Sequence, residues 1–280
     1  MRISYEKFQN LYIFYAKSHS LNKKLAISAK SAYLCHMDCK TIAHIETDFT
    51  TKFGVPRQAG LIPELEGRIV FEPEYRVADA LRGLEGYSHL WLIWEFSEVT
   101  AATSEGKKEK GKEKNEGIFS NTFKPTVRPP RLGGNKRMGV FATRSPFRPN
   151  PIGLSSVEIS RIELNTPDGP IIYIKGADLM NGTPILDIKP YLPFTDSHPE
   201  ARGGFTDQTK EQEPLEVVIP DNRLAELSLK LDNKKLVALK QVLSQDPRPH
   251  YQEDEDRIYG LNFSGEEIHF RVKGKVLTVV

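Results

Sequence analysis

Residues 153–193 read GLSSVEISRIELNTPDGPIIYIKGADLMNGTPILDIKPYLP. Three runs rich in β-branched residues, GLSSVEISRIEL, PIIYIKGADL and TPILDIKPYLP, are separated by PDG and NGT. Those tripeptides carry turn chemistry, so the stretch predicts three strands in succession. Working upstream, YSHLWLIWEFSEV is a run of bulky and β-branched residues that predicts a central strand. GRIVFEP is a shorter strand, and Thr41 to about Asp48 alternates like another. Between these two lies FGVPRQAGLIP, a Pro/Gly-rich loop carrying Arg57 and Gln58. EYRVADALRGLEG places Val77, Ala80, Leu81 and Leu84 at helical spacing and ends on glycine, which predicts a short helix. Many short strands with one helix predict a small β-barrel ending near residue 195.

The chain changes character beyond that point. TDSHPEARGGFTDQTKEQEP, residues 195–214, reads as a linker. Leu224, Leu227 and Leu231 form one helical stripe, with Asp221 as the expected N-cap. Leu236, Leu239, Val242 and Leu243 form a second, and DPRPHY breaks it. IYGLNF and EEIHFRVKG predict a hairpin, and KVLTVV a last strand. The expected fold is mainly β with an α+β portion: a β-barrel domain over residues 37–195, a linker over 196–214, and a small α+β domain over 215–280. Residues 1–36 show no convincing periodicity and read as a poorly structured extension before Met37, the expected natural start. Residues 103–117, TSEGKKEKGKEKNEG, lack apolar side chains and predict a mobile charged loop.

The 280 residues carry a formal net charge of +2, so any nucleic-acid surface must come from local clustering. The two cysteines, Cys35 and Cys39, provide no disulfide framework and fit a reducing, cytoplasmic setting. The CHMDC cluster lacks a second pair at ligand spacing, so no metal is expected. No apolar run is long enough to span a membrane. There is no GxGxxG after a strand, no P-loop, no HExxH and no GxSxG elbow.

Residues 139–156, GVFATRSPFRPNPIGLSS, are the other unusual stretch. Pro146, Pro149 and Pro151 fix φ, remove donors and push their predecessors toward extended conformations. A rigid extended loop therefore presents Arg144, Arg148 and Asn150 in set directions. The flanking sequence adds Lys124, Arg128, Arg131, Lys136 and Arg137 without an acid among them. Such a stretch, interleaved with Phe141 and Phe147, suits phosphate contact; it equally suits a structural loop whose arginines pair elsewhere.

VPRQAGL, RGLEGYSHLW, RPPRLGGNKRMGVFATRSPFRPNPIGLS, DLMNGTPILDIKPYLP and DPRPHY, in that order, resemble the bacterial TsaA-like family over roughly residues 41–280. Its two-domain members are tRNA (N6-threonylcarbamoyladenosine) N6-methyltransferases. The resemblance implies a β-barrel that binds S-adenosylmethionine (SAM) and a homodimer with cofactor sites near the subunit interface. It implies methyl transfer to N6 of threonylcarbamoyladenosine, beside the anticodon of a threonine tRNA. Carried onto this chain, the cofactor residues are Pro56, Arg57, Gln58, Phe96, Ser97, Arg144, Leu154, Asp178 and Leu179. Ser97 stands where the family often has His, and Asn181 where an acid is common. Asp187 and Tyr191 are candidates for orienting the acceptor nitrogen. Arg128, Arg131, Arg148, Asn150, Lys189 and Arg248 are candidates for holding the tRNA. Each has a plainer alternative: Asp187 and Lys189 as a mutual pair, Tyr191 and His89 as core, Arg248 as a tie between domains, and His250 as peripheral. The competing functions are a non-catalytic SAM- or RNA-binding module, and a methyltransferase of another small substrate.

Overall fold

A computed structural model describes residues 39–97, 123–133, 136–208, 213–248 and 254–280. The expected extension over 1–36, the charged loop over 103–117 and His250 lie outside these. Residues 41–280 form one compact unit.

Six strands close into a barrel. They are β1 (Ala43–Glu46), β2 (Glu66–Phe71), β3 (His89–Glu95), β6 (Ile152–Thr166), β7 (Gly169–Lys175) and β8 (Pro184–Pro190), in spatial order β1-β2-β7-β6-β3-β8. Every neighbouring pair is antiparallel, and Ala43 opposite Ile185 completes the circle. A two-stranded ribbon, β4 (Thr126–Val127) and β5 (Met138–Gly139), stands apart from it. The period-two alternation decides what is inside. Leu90, Leu92 and Trp94 of β3 point inward and meet Ile45, Ile69, Ile172, Ile174 and Ile185 in one core.

β8 departs from simple alternation. Ile93 pairs with Asp187 but Trp94 pairs with Ile185, so Leu186 is an extra residue at a bulge. The bulge resets the parity of the strand. Ile185 and Ile188 both face the core, while Asp187 and Lys189 share the outer face with Ile93 and Trp91.

The helix expected around residues 74–86 is instead three 3-10 turns, Pro73–Tyr75, Ala78–Leu81 and Leu84–Gly86. Each is closed by its own short-range bond, such as Tyr75 N–H to the Glu72 carbonyl at 2.8 Å and Tyr87 N–H to that of Leu84 at 3.0 Å. Leu81 is buried and Leu84 packs on the core, but Val77 is 52% exposed, so the four apolar residues never share one face. Gly83, at φ +90°, breaks the chain between Leu81 and Leu84.

The C-terminal portion is α+β, as expected. Strands β9 (Glu216–Val218), β10 (Tyr259–Phe263), β11 (Glu266–Lys273) and β12 (Val276–Val279) form a sheet in order β10-β11-β12-β9, with β9 parallel to β12. Helices α1 (Asp221–Ser228) and α2 (Asn233–Ser244) complete the domain. Asp221 is not an N-cap. Pro220 holds that position, and Asp221 is the first helical residue, where a carboxylate still meets the favourable end of the dipole. Asp232 does cap α2, accepting the Lys235 N–H at 2.8 Å.

This second core contains residues from far upstream. Phe49, Ile62 and Leu65 are buried in it, and Phe53 and Val55 pack against it. Phe49 meets Phe263 edge-on at 5.6 Å, and Phe53 stacks on Phe270 at 6.5 Å. Polar ties reinforce the seam: the Ser264 N–H donates to the Asp48 carbonyl at 2.8 Å and the Lys235 ammonium reaches the Asp48 carboxylate at 3.0 Å. Gly54 sits at φ +90°, and a Cβ there would lie 2.2 Å from Leu261 Cδ1. Residues 48–65 thus connect two barrel strands and are anchored in the C-terminal core.

Candidate functional site

One end of the barrel gathers the loop over 48–65, the end of β3, the start of β6 and the exit of β7. Main-chain bonds fix the assembly. The Gly60 N–H donates to the Gly176 carbonyl and the Gly176 N–H to that of Leu65, both at 2.8 Å. The Phe96 N–H donates to the Pro151 carbonyl at 2.9 Å. Across this end the Arg144 guanidinium donates from Nη1 to Gln58 Oε1 at 2.6 Å, joining the VPRQ and ATRS loops.

Beneath that contact lies a polar chain. Trp94 Nε1–H donates to Ser155 Oγ at 3.0 Å, and Ser155 Oγ–H donates to Asp178 Oδ1 at 2.6 Å. A hydroxyl has one proton, so a donor at its oxygen sends that proton onward. Gly153 makes room for the indole, since a Cβ there would lie 2.1 Å from Trp94 Cε2. Burial pushes the Asp178 carboxyl above the usual aspartate value; the Ser155 hydroxyl, the N–H groups of Asp178 and Ala59, and the charge on Arg144 act against that rise.

Of the other expected cofactor residues, Pro56 is half-buried and Arg57 exposed, its carbonyl accepting from Gln58 Nε2. Phe96 lies 4.2 Å from Trp94, centroid to centroid, and Ser97 follows it directly. Leu154 is 51% exposed on the outer face, whereas Leu179 is 1% exposed and fills the barrel core, its carbonyl taken by the Thr47 hydroxyl. Asn181 accepts the Thr47 N–H at 3.1 Å, so it ties its turn to the end of β1. A guanidinium, a carboxylate and an amide, with apolar Phe96 packed on Trp94 and Leu154 exposed at the start of β6, fit a small zwitterion with an aromatic portion.

Leu154, Ile93 and Asp187 form one row across β6, β3 and β8. Two strand spacings put Asp187 about 10 Å from Leu154. Lys189 pairs with Asp187 at 2.9 Å. Tyr191 lies further along, its N–H on the His89 carbonyl at 3.0 Å and its ring 5.6 Å from that of Trp91. Four residues of β3 separate its row from that of Asp187, about 13 Å. A cavity of about 530 Å³ is lined by Phe71, Tyr75, Leu81, Tyr87 and Asp187 among others, and Arg144 and Gln58 are not in its lining.

The expected tRNA residues divide. Arg128 and Asn150 are exposed, and Arg131 has no described side chain. Arg148 donates to the carbonyls of Thr143 at 3.2 Å and Val140 at 3.5 Å, tying its own loop. Arg248 is largely buried, with Asp246 gripping it at 2.8 and 2.9 Å. Among the described residues no group of three or more His, Cys, Asp or Glu could hold a metal ion, and no helix is long and apolar enough to cross a membrane.

Ser155 and Trp94 escaped the sequence reading. Their signal is parity: inward Gly153, Ser155 and Val157 put a hydroxyl in an apolar register, where it needs a partner.

A closed six-stranded barrel with a polar site at its rim, and an α+β domain clasping one of its loops, agrees with what known proteins show. The tRNA-methyltransferase O N-terminal domain matches residues 44–197, and the TrmO C-terminal domain matches residues 212–280. The tRNA (adenine(37)-N6)-methyltransferase of Escherichia coli is 41% identical over 234 residues, 82% of this chain and 91% of that one. A putative S-adenosylmethionine-dependent methyltransferase of Pseudomonas aeruginosa is 36% identical over 82% of this chain and 90% of its own. The crystal structure of TrmO from Pseudomonas aeruginosa superposes with a TM-score of 0.63 at 27% identity, covering 88% of this chain and 98% of that one. The chain belongs to the tRNA-methyltransferase O family.

Proposed function

We propose that this protein is a SAM-dependent tRNA methyltransferase that methylates N6 of threonylcarbamoyladenosine at position 37 of a threonine tRNA. The observation that carries the reading is the Arg144–Gln58 bond set above the Asp178 carboxylate, in a member of a family whose relatives are named tRNA (adenine(37)-N6)-methyltransferase. SAM, when bound, supplies the methyl group on a sulfonium. Arg144 holds the carboxylate of the cofactor, and Gln58 keeps that guanidinium aimed. Asp178 accepts from the hydroxyl or ammonium protons of the cofactor. Phe96 and Leu154 supply the apolar wall against its adenine and keep water out. Pro56, Arg57 and Ser97 edge the same site, and Leu179 contributes through its main chain.

Methyl transfer is an in-line displacement, so most of the acceleration comes from positioning. Asp187 orients or takes the N6 proton, a role supported by its sharing a row with Leu154. Tyr191, beside Trp91 and His89, steadies the acceptor loop from further along the same face. The target adenosine leaves the anticodon-loop stack, which costs little in a single-stranded loop. Arg128, Arg131, Asn150 and Lys189 contact the phosphates, while Arg148 shapes the loop that leads to Asn150 and Arg248 the turn it shares with Asp246. Ile152 and Leu154 expose apolar surface on that outer face, which suits a two-fold contact with a second copy in the cytoplasm.

The test is incubation of the purified protein with SAM and bulk tRNA bearing threonylcarbamoyladenosine, followed by mass spectrometry of the nucleosides. The methylated nucleoside appears, and Arg144→Ala abolishes it. SAM binding without methylation would support the competing reading, a binding module built on the same barrel.

A further inference from the structure

Two phenylalanines that the proposed chemistry does not use flank the ribbon of β4 and β5. Phe141 is 74% exposed and Phe123 is 48% exposed. Their rings stack on each other, centroids 6.4 Å apart and planes 27° from parallel. The pair is held in place: the Val140 N–H donates to the Pro125 carbonyl at 3.0 Å, and the Lys124 N–H to that of Phe147 at 3.0 Å. Two aromatic faces kept in water by an ordered backbone mark a contact surface.

The charges around the pair select the partner. Lys124, Arg128, Lys136 and Arg137 stand on the same segment. Among the described residues none of the four has a carboxylate partner; Lys124 lies 4.1 Å over the Phe147 ring and Arg137 donates to the Thr126 hydroxyl at 2.8 Å. A protein surface seated here would need acids to match. Single-stranded RNA brings both complements, phosphates for the cations and flat base faces for the aromatic rings. Phe141 is also three residues before Arg144, so a base stacked on it lies beside the cofactor end of the barrel.

We propose that Phe141 and Phe123 form a stacking platform for an unpaired base of the anticodon loop next to the target adenosine. This rests on the tRNA reading above. The platform holds the neighbour while the target is turned out, and the cations grip the backbone on either side.

The experiment uses the full chain and an anticodon stem-loop bearing threonylcarbamoyladenosine. RNA affinity is measured at fixed salt, SAM affinity by calorimetry, and oligomeric state by sedimentation. Phe141→Ala is expected to weaken RNA binding roughly 5- to 150-fold, the span for loss of one base–aromatic stack. SAM affinity and the slope of RNA affinity against salt stay unchanged, and Phe141→Trp restores binding. Phe123→Ala shows a smaller loss of the same kind. RNA affinity unaltered in both alanine variants overturns the platform while leaving wild-type tRNA binding, and hence the broader reading, intact. Weakened RNA binding together with dissociation into monomers overturns it in favour of a subunit contact. A wild-type chain that does not bind the stem-loop overturns both readings.

Discussion

Ser155 has one proton to give, and Trp94 determines where it goes. With the indole N–H on its oxygen, the hydroxyl donates to Asp178 and fixes that carboxylate's orientation. Burial disfavours the charged carboxylate, so Asp178 takes up a proton at a higher pH than a free aspartate does. In the cofactor-free protein its ionisation costs stability as pH rises through that raised value; below the ordinary aspartate range the neutral form makes its full contribution. The proposed cofactor binding has the opposite requirement, because there the anion would be the acceptor. SAM affinity, followed by calorimetry against pH, should fall on acidification earlier than an ordinary aspartate would dictate, and Asp178→Asn should remove that dependence. Ser155→Ala deletes a bond that stabilises the anion, so the acid limb should move to still higher pH. The same variant strands the Trp94 N–H, which should cost about 1–3 kcal/mol in urea unfolding. Arg144 and Gln58 were legible in the sequence because their motifs are contiguous. The Trp94–Ser155–Asp178 chain was not, because it depends on the register among three strands.

The strands themselves were readable from β-branched runs and turn residues, and two places show where local reading stops. Residues 74–86 have apolar residues at helical spacing, yet Gly83 and an exposed Val77 leave three separate turns. In ILDIK, simple alternation would put Ile185 and Asp187 on one side; the bulge at Leu186 sends them to opposite sides. Asp187→Ala should therefore change stability by less than about 1 kcal/mol, as for an exposed ion pair, while reducing methyl transfer. Equal losses in a thermal melt and in turnover would mark Asp187 as structural. The loop over 48–65 invites a sharper test. Gly54→Ala combines a left-handed backbone with a clash against Leu261. It should lower stability by about 1–2 kcal/mol, the cost of a left-handed alanine, and weaken SAM binding through the displaced Arg57 and Gln58. Calorimetry showing the wild-type constant would mean that the loop finds its place without its anchor.

At the scale of the molecule, the two family domains meet the two cores imperfectly. The matched segments divide near residue 200, yet Phe49, Ile62 and Leu65 belong to the core of the C-terminal sheet. No local pattern announces this, because each of those residues reads equally well as barrel. A chain ended at residue 212 should consequently keep its barrel strands and lose SAM binding, with the apolar side of the 48–65 loop exposed. Circular dichroism and calorimetry on the truncated chain check both halves; full SAM affinity would show that the loop is held by the barrel alone.

That shared loop also sets an order of events during synthesis. Phe49 leaves the ribosome 214 residues ahead of Phe263, the ring it packs against (263 − 49). At ordinary elongation rates the interval is about 10–40 s. The last barrel strand, β8, ends at Pro190, so the barrel can close well within it. Until the C-terminal helices and sheet emerge, Phe49, Phe53 and Ile62 lack most of their core, and a nascent chain shows the cell's chaperones the very stretch that the finished protein keeps out of sight.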